Sequence, residues 1–288
     1  MQLVFFGLIT GSILAIAAAG FALIRQIDGF LNIAHGQYML VGALVGLALM
    51  EAGLNIFLVG LGASIIVGLI GVLVAWLVFF PLRDKGLLSQ FFTSIGVAFV
   101  VYGLVLATWT GSGIKVYPVN FGRPFDLLGV SVTTGELLVI AVAWLGVLAL
   151  HLFLTTTNMG LWVRAVASNR DLAATRGVRT DLVMVIVWFL ASALAGLAGV
   201  LIGVLGSVHS ELGWQYILPI LAVTVMGGIG NLYGVLASGL ILGMVIDLSS
   251  FVIPSKYGTV LAFGVIILTL VIRPQGLFSI QRRREAGQ

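Results

Sequence analysis

Nine apolar stretches follow one another along this chain, near residues 3–24, 34–50, 57–80, 91–109, 135–155, 183–206, 216–229, 234–252 and 257–272. A helix needs about 20 such residues to cross a bilayer, and in lipid every backbone N–H and C=O must be satisfied within the structure. Serial runs of this kind specify an all-α fold, a polytopic transmembrane helical bundle of about eight or nine membrane segments. They make one domain over residues 1–281, followed by a basic tail, 282–288. A transmembrane barrel would instead show ~10-residue segments of alternating polarity. Only 8% of the residues are charged and 60% are hydrophobic, which excludes a soluble globular domain. Two stretches, 34–50 and 216–229, are short for a crossing, and the sequence leaves open whether they cross or re-enter.

The few charges are unevenly placed. If all nine stretches cross, with the N-terminus outside, one face receives Arg25, Arg83, Lys85, Arg164, Arg170, Arg176, Arg179, Arg273, Arg282, Arg283 and Arg284. The other face receives Lys115, Arg123 and Lys256. Basic residues accumulate in cytoplasmic loops, so the asymmetry places the C-terminus and the segment 156–182 in the cytoplasm and the loop 110–134 outside. The formal net charge of +4 therefore reports topology, not a nucleic-acid partner. The N-terminal Met1-Gln2-Leu3-Val4-Phe5-Phe6 has neither a basic leader nor a small-residue cleavage site and reads as a retained first span. With no cysteine, disulfides and thiolate metal sites are ruled out.

No catalytic set emerges. His35, His151 and His209 stand far apart without ligand neighbours at metal spacing. Gly227-Gly228-Ile229-Gly230 lacks the Lys-Ser/Thr of a phosphate loop, so the energy for any transport comes from a gradient or from another subunit. Ionisable residues inside apolar runs are functional candidates because burying them is costly; Asp247 is the most embedded. Near the N-terminus, Asp28-Gly29-Phe30-Leu31-Asn32-Ile33-Ala34-His35-Gly36-Gln37-Tyr38 interrupts what would otherwise be a hairpin of apolar helices. Broken backbone at membrane depth is tolerated where it is buried in protein or lines a cavity, which makes Asn32, His35 and Gln37 candidate pathway or gate residues. The competing reading is a polar cytoplasmic turn in which Asn32 caps the next helix.

The segment Asn158 to Asp181 concentrates charge between two long spans. It reads as a short amphipathic helix with Trp162, Ala165, Val166 and Asn169 on one stripe and Arg164 and Arg170 off it, bracketed by Gly160 and Gly177. Such a helix suits docking into a cleft on a cytoplasmic partner; lying on anionic lipid is the alternative. Small residues recur every fourth position at Gly7, Gly11, Ala15 and Ala19, at Ala191, Ala195, Gly199 and Gly203, and at Gly230, Gly234 and Ser238, a pattern that permits close helix packing in lipid.

In order along the chain, several patches together resemble a known family. They are Gly11-Ser12 with Ala15 and Gly20; Asn32-x-Ala34-His35-Gly36 with Tyr38-Met39 and Gly42; and Thr157-x-Met159-Gly160 with Arg164-Ala165, Ala173, Gly177 and Thr180-Asp181. Further on come Ala195-Gly196-x-Ala198-Gly199, then Gly227-Gly228-Ile229-Gly230 with Gly234 and Gly243, and finally Arg273-Pro274-x-Gly276-Leu277. The chain resembles the shorter, leucine-type permease subunit of branched-chain amino acid ABC importers. The resemblance implies a bacterial inner-membrane importer of two permeases, two cytoplasmic ATPases that bind the ATP, and an external solute-binding protein. It maps the family's ATPase-coupling segment onto Gly160, Arg164, Ala165, Asn169, Ala173 and Gly177. The family usually has an aromatic at the position of Leu14, Tyr-Gly at Arg25-Gln26, Phe at Ile33 and often Glu at Gln37, and related permeases also serve urea, amides and other small amino acids. A gradient-driven carrier or channel acting without ATPases is the alternative function.

Overall fold

A computed structural model describes residues 1–108, 113–127, 129–228, 230–252, 257–273 and 276–278. The basic tail 282–288, Lys256, Ile229, Pro274 and residues 110–112 and 128 of the loop 110–134 lie outside the described residues. Eleven α-helices run through the described residues. The first five are α1 (Gln2–Asp28), α2 (His35–Glu51), α3 (Ile56–Val74), α4 (Leu87–Thr108) and α5 (Thr134–Thr156). They are followed by α6 (Asn158–Ser168), α7 (Arg170–Thr175), α8 (Thr180–Leu205), α9 (Leu212–Gly227), α10 (Leu232–Ser249) and α11 (Gly258–Ile272). Four strands are short: β1 (Lys115–Val116), β2 (Phe125–Leu127), β3 (Val130–Val132) and β4 (Ser207–Val208). A π turn, Ala75–Phe79, prolongs α3. Six helices among the described residues are long and apolar enough to cross a membrane, with α9 and the apolar part of α11 shorter.

Contacts at the helix ends define two faces. On one, β1 pairs antiparallel with β4, joining the far ends of α4 and α8, and β2 pairs with β3. Gln2 clasps the backbone of Ser131 there, accepting at 3.0 Å and donating at 2.9 Å. Thr133 and Glu136 close a capping box at the start of α5, so the Glu136 carboxylate is spent on an orphan N–H group. On the opposite face Arg83 pairs with Asp181 at 3.1 Å. Beside them, the Leu277 N–H donates to the Met226 carbonyl and the Asn231 amide donates to that of Phe278. The described basic residues sort with this division: Lys115 and Arg123 connect α4 and α5 on the strand-bearing face, and the rest lie toward the face of α6 and α7.

Close approach of backbones builds the interior. A Cβ on Gly11 would lie 2.8 Å from the Leu240 Cα, and one on Gly243 only 2.2 Å from the Gly11 nitrogen, so α1 and α10 touch along the Gly7, Gly11, Ala15 stripe. At the crossing of α2 and α8, a Cβ on Gly199 would sit 1.9 Å from the Met39 carbonyl oxygen and one on Gly42 2.4 Å from that of Gly196. Lipid offers no hydrophobic drive for helix association, so dispersion contacts at this range are what hold such a bundle together. Tyr117 anchors the loop between α4 and α5: its hydroxyl donates to the Ala43 carbonyl at 2.7 Å and its ring fills the space left by Gly46 and Gly203. Burial pushes that phenol above its ordinary pKa.

Candidate functional site

The break between α1 and α2 is a buried structure, not a surface turn. His35 Nε2–H donates to the Ala17 carbonyl at 3.0 Å, which sets the start of α2 beside the middle of α1. Ala17 stands about 16 Å from the end of α1 at Asp28, at ~1.5 Å per residue. Residues 29–34 therefore rise into the bundle as non-helical chain before α2 begins. Their backbone is satisfied by Ser94 on α4, which is fully buried; its hydroxyl accepts from the Ile33 N–H at 3.0 Å and lies 3.3 Å from the Leu31 carbonyl. Asn32 caps nothing: the residue preceding α2 is Ala34, with no side-chain cap. The polar-turn reading therefore fails on geometry, because the Asn32 side chain is buried instead of standing at a helix end in water.

Asn32, His35 and Gln37 come together in this interior, each no more than 1% exposed. Both polar atoms of the Asn32 amide, His35 Nδ1, Gln37 Oε1 and the Tyr38 hydroxyl are buried without a hydrogen-bond partner among the described residues. With Nε2–H committed to Ala17, a neutral imidazole presents Nδ1 as an acceptor. Gln37 faces the start of α9, where a Cβ on Gly213 would meet its amide within 2.6 Å, and Gly36 packs on the Gly213 carbonyl. Buried polar atoms without partners are rare in settled interiors, and their concentration on one broken segment makes it the candidate centre.

Beneath this centre, toward the face of α6 and α7, an aromatic plug closes the bundle. Phe30 stacks on Phe79 at 5.3 Å between centroids, and Phe79 on Trp188 at 4.8 Å. The π turn in α3 carries Phe79 into that stack. Trp188 Nε1–H donates to the Asp28 carboxylate at 2.8 Å, and the Arg83–Asp181 pair lies near the same end of α8. None of Phe30, Phe79, Trp188 or Ser94 was singled out by the sequence. Aromatic and hydroxyl residues within apolar runs carry no periodic signal that separates a plug from a lipid-facing ring.

Asp247 stands apart from these residues. It lies two residues from the end of α10, near the strand-bearing face, with its carboxylate against the Thr10 hydroxyl.

The six residues mapped to the charged block divide by burial. Thr157 turns the chain from α5 into α6: its hydroxyl donates to the Phe153 carbonyl and accepts from the Gly160 N–H at 2.9 Å. Gly160 is buried in that corner, where a Cβ would lie 2.3 Å from the Phe153 carbonyl oxygen, so it fixes the turn instead of presenting a contact. Asn169 breaks the block in two. Its backbone is extended and its side-chain oxygen accepts from the Leu172 N–H at 3.0 Å, capping α7. The single stripe expected through Trp162, Ala165, Val166 and Asn169 is accordingly replaced by Gly160, Val163 and Val166 buried on α6, with Ala173 buried on α7. Gly177 ends α7 with φ +81°, a conformation that favours glycine. Arg164 is exposed, Ala165 is half-buried, and two large apolar side chains that sequence reasoning passed over, Leu161 and Leu172, are 55% and 57% exposed.

Multiple apolar helices broken around a buried polar centre define a multi-pass membrane transport component. The chain belongs to the family described as branched-chain amino acid transport system, permease component, whose model matches residues 3–270. It is 30% identical over 292 residues to the high-affinity branched-chain amino acid transport system permease protein LivH of Salmonella typhimurium, covering 96% of this chain and 94% of that protein. It is 28% identical over 288 residues to the corresponding permease protein BraD of Pseudomonas aeruginosa, covering 94% and 93%. Among solved structures, a chain of PsaBC from Streptococcus pneumoniae in complex with Fab matches with a TM-score of 0.54 at 16% identity, over 96% of this chain and 93% of that one; that likeness concerns the fold alone.

Proposed function

We propose that this chain is a membrane-spanning permease subunit of an ATP-driven ABC importer for branched-chain or related small amino acids, working by alternating access. The observation that carries the reading is the exposed polar and apolar surface of α6 and α7, where Leu161 and Leu172 stand out beside Arg164 while only Gly160, Val163, Val166 and Ala173 of the two helices are buried. Aliphatic side chains exposed beside an arginine, on a segment held by a rigid corner, suit a protein cleft. The partner seated there is a cytoplasmic ATPase, and the N-terminus and strand-bearing face are external. Gly160, Asn169, Ala173 and Gly177 shape this surface, and Arg164 and Ala165 belong to it.

Closure of the ATPases on ATP moves α6 and α7, and the displacement passes to the first turn of α8. There Asp181 holds Arg83 and, two turns on, Trp188 holds Asp28. Pulling this end of α8 separates Trp188 from Phe79 and Phe30, which opens the plug beneath Asn32, His35 and Gln37. Those buried polar groups then face the pathway, completed by a second permease, either a sister chain or another copy. An external solute-binding protein delivers the substrate, and ATP is bound and hydrolysed only in the partners.

The test is ATP-driven uptake of leucine by the assembled importer carrying Arg164→Glu or Leu172→Asp. Both variants are expected to stay in the membrane and lose most uptake. Unchanged uptake in both, or uptake by the purified chain alone without ATP, would overturn the proposal.

A further inference from the structure

A cavity of about 200 Å³ opens near the strand-bearing ends of α1, α8 and α9, between Thr10, Ile13, Ile202, Ser207, His209 and Tyr216. One part of its wall is aliphatic and the rest carries hydroxyl, imidazole and amide groups. His209 is tied to Gln215 at 3.1 Å, and Gln215 and Tyr216 bring polar groups of the first turns of α9 to this space. Thr10 and Tyr216 connect the cavity to Asp247 on α10. The Asp247 carboxylate meets the Thr10 hydroxyl and lies within electrostatic reach of Tyr216, while its Oδ2 is buried with no hydrogen-bond partner among the described residues.

A carboxylate in such a place is stabilised by a positive charge nearby, which offsets its desolvation. Among the described residues, helices α8, α9, α10 and α11 carry no lysine or arginine, and the one arginine of α1, Arg25, stands at the opposite end of that helix. Glu211, the nearest other acid on the α9 side, is engaged by the Tyr102 hydroxyl. The arrangement is a small amphipathic chamber with Asp247 behind its polar wall. We propose that it is an entry subsite for a small solute bearing a primary ammonium group and an aliphatic side chain, with Asp247 as counter-charge to the ammonium. The assignment rests on the reading of this face as external. It separates amino acids from urea and amides, which have no ammonium to offer.

The chain has no cysteine, so a single reporter can be placed on the cavity wall. Ser207→Cys in the full chain in lipid nanodiscs is modified by a small neutral methanethiosulfonate, with the rate read by peptide mass spectrometry; Leu205→Cys is a second reporter on the cavity wall. Leucine and 3-methylbutylamine, at concentrations about twice their Kd, should slow modification roughly threefold, and 4-methylpentanoate, which lacks the ammonium, should not. Adding Asp247→Asn should abolish that protection. The same rates are measured with Lys256→Met present, and protection should persist.

Rates unaffected by the amine at both reporters, slowed equally by the des-amino acid, or still protected in Asp247→Asn would each overturn the assignment. In the assembled importer, Asp247→Asn should raise the KM for leucine about tenfold and Asp247→Glu should restore part of it. The protection measurement needs no ATPase, so a chain that failed to transport would count against the proposed function while the subsite would still be decided.

Discussion

Helices α1 and α4 are almost equally hydrophobic, yet 67% of the apolar stretch of α1 is buried and only 17% of that of α4. The same contrast holds between α8 and α5, at 67% and 22%. Hydropathy puts all four in the membrane and says nothing about which lies inside. The difference is in residue size. Where α1 and α8 carry glycine and alanine every fourth position, neighbouring backbones come into direct contact. Over much of its surface α4 instead offers Leu88, Phe92, Phe99 and Leu104, all more than half exposed, to surroundings as apolar as themselves.

Giving an inner helix an outer helix's residue should have the largest effect. Gly199→Leu puts side-chain atoms where the Met39 carbonyl already stands, and overpacking a backbone contact of this kind should cost about 3 kcal/mol or more. Size-exclusion profiles of the purified variant should show aggregate in place of the wild-type peak. A smaller effect is expected at the plug. Trp188→Phe keeps an aromatic ring beside Phe79 and loses the hydrogen bond to Asp28, a charge-assisted bond worth roughly 1.5–3 kcal/mol. Thermal unfolding in detergent should fall by several degrees while the chain still folds. On α4, Leu104→Ala removes a side chain that is 62% exposed and should change stability by no more than about 0.5 kcal/mol. A large loss there would show that α4 packs on a partner and not on lipid.

Much of the fold could be read along the chain, because apolar length and small-residue stripes are local properties. The stripes on α1 and α8 proved to be internal packing, with Gly7 and Gly11 against α10 and Gly199 against α2, whereas Gly230 of the third stands exposed ahead of α10. What could not be read was which patches meet. Gly227-Gly228 and the segment ending Gly276-Leu277 form one structure, with a Cβ on Gly276 placed 2.4 Å from the Gly228 Cα, and nothing in either patch names the other. The candidate centre was legible in part. Asn32, His35 and Gln37 stand out as polar residues in an apolar setting, but Ser94, which holds the adjoining backbone of Leu31 and Ile33, and the stack of Phe30, Phe79 and Trp188 are set by tertiary contact alone. In the charged block the helical period was carried past Ser168, where the extended backbone of Asn169 ends it; Leu161 and Leu172 were passed over because exposed leucines look like core in any periodicity.

If α6 and α7 seat an ATPase, a photo-crosslinking amino acid placed at Leu172, at Leu161 and, as the lipid-facing reference, at Leu104 will report the contact. In membranes containing the whole importer, positions 172 and 161 should each crosslink to an ATPase subunit, with a yield that changes when ATP is added, and position 104 should give none. Crosslinks absent from both 172 and 161, or no more abundant there than at 104, would contradict an ATPase seat on α6 and α7.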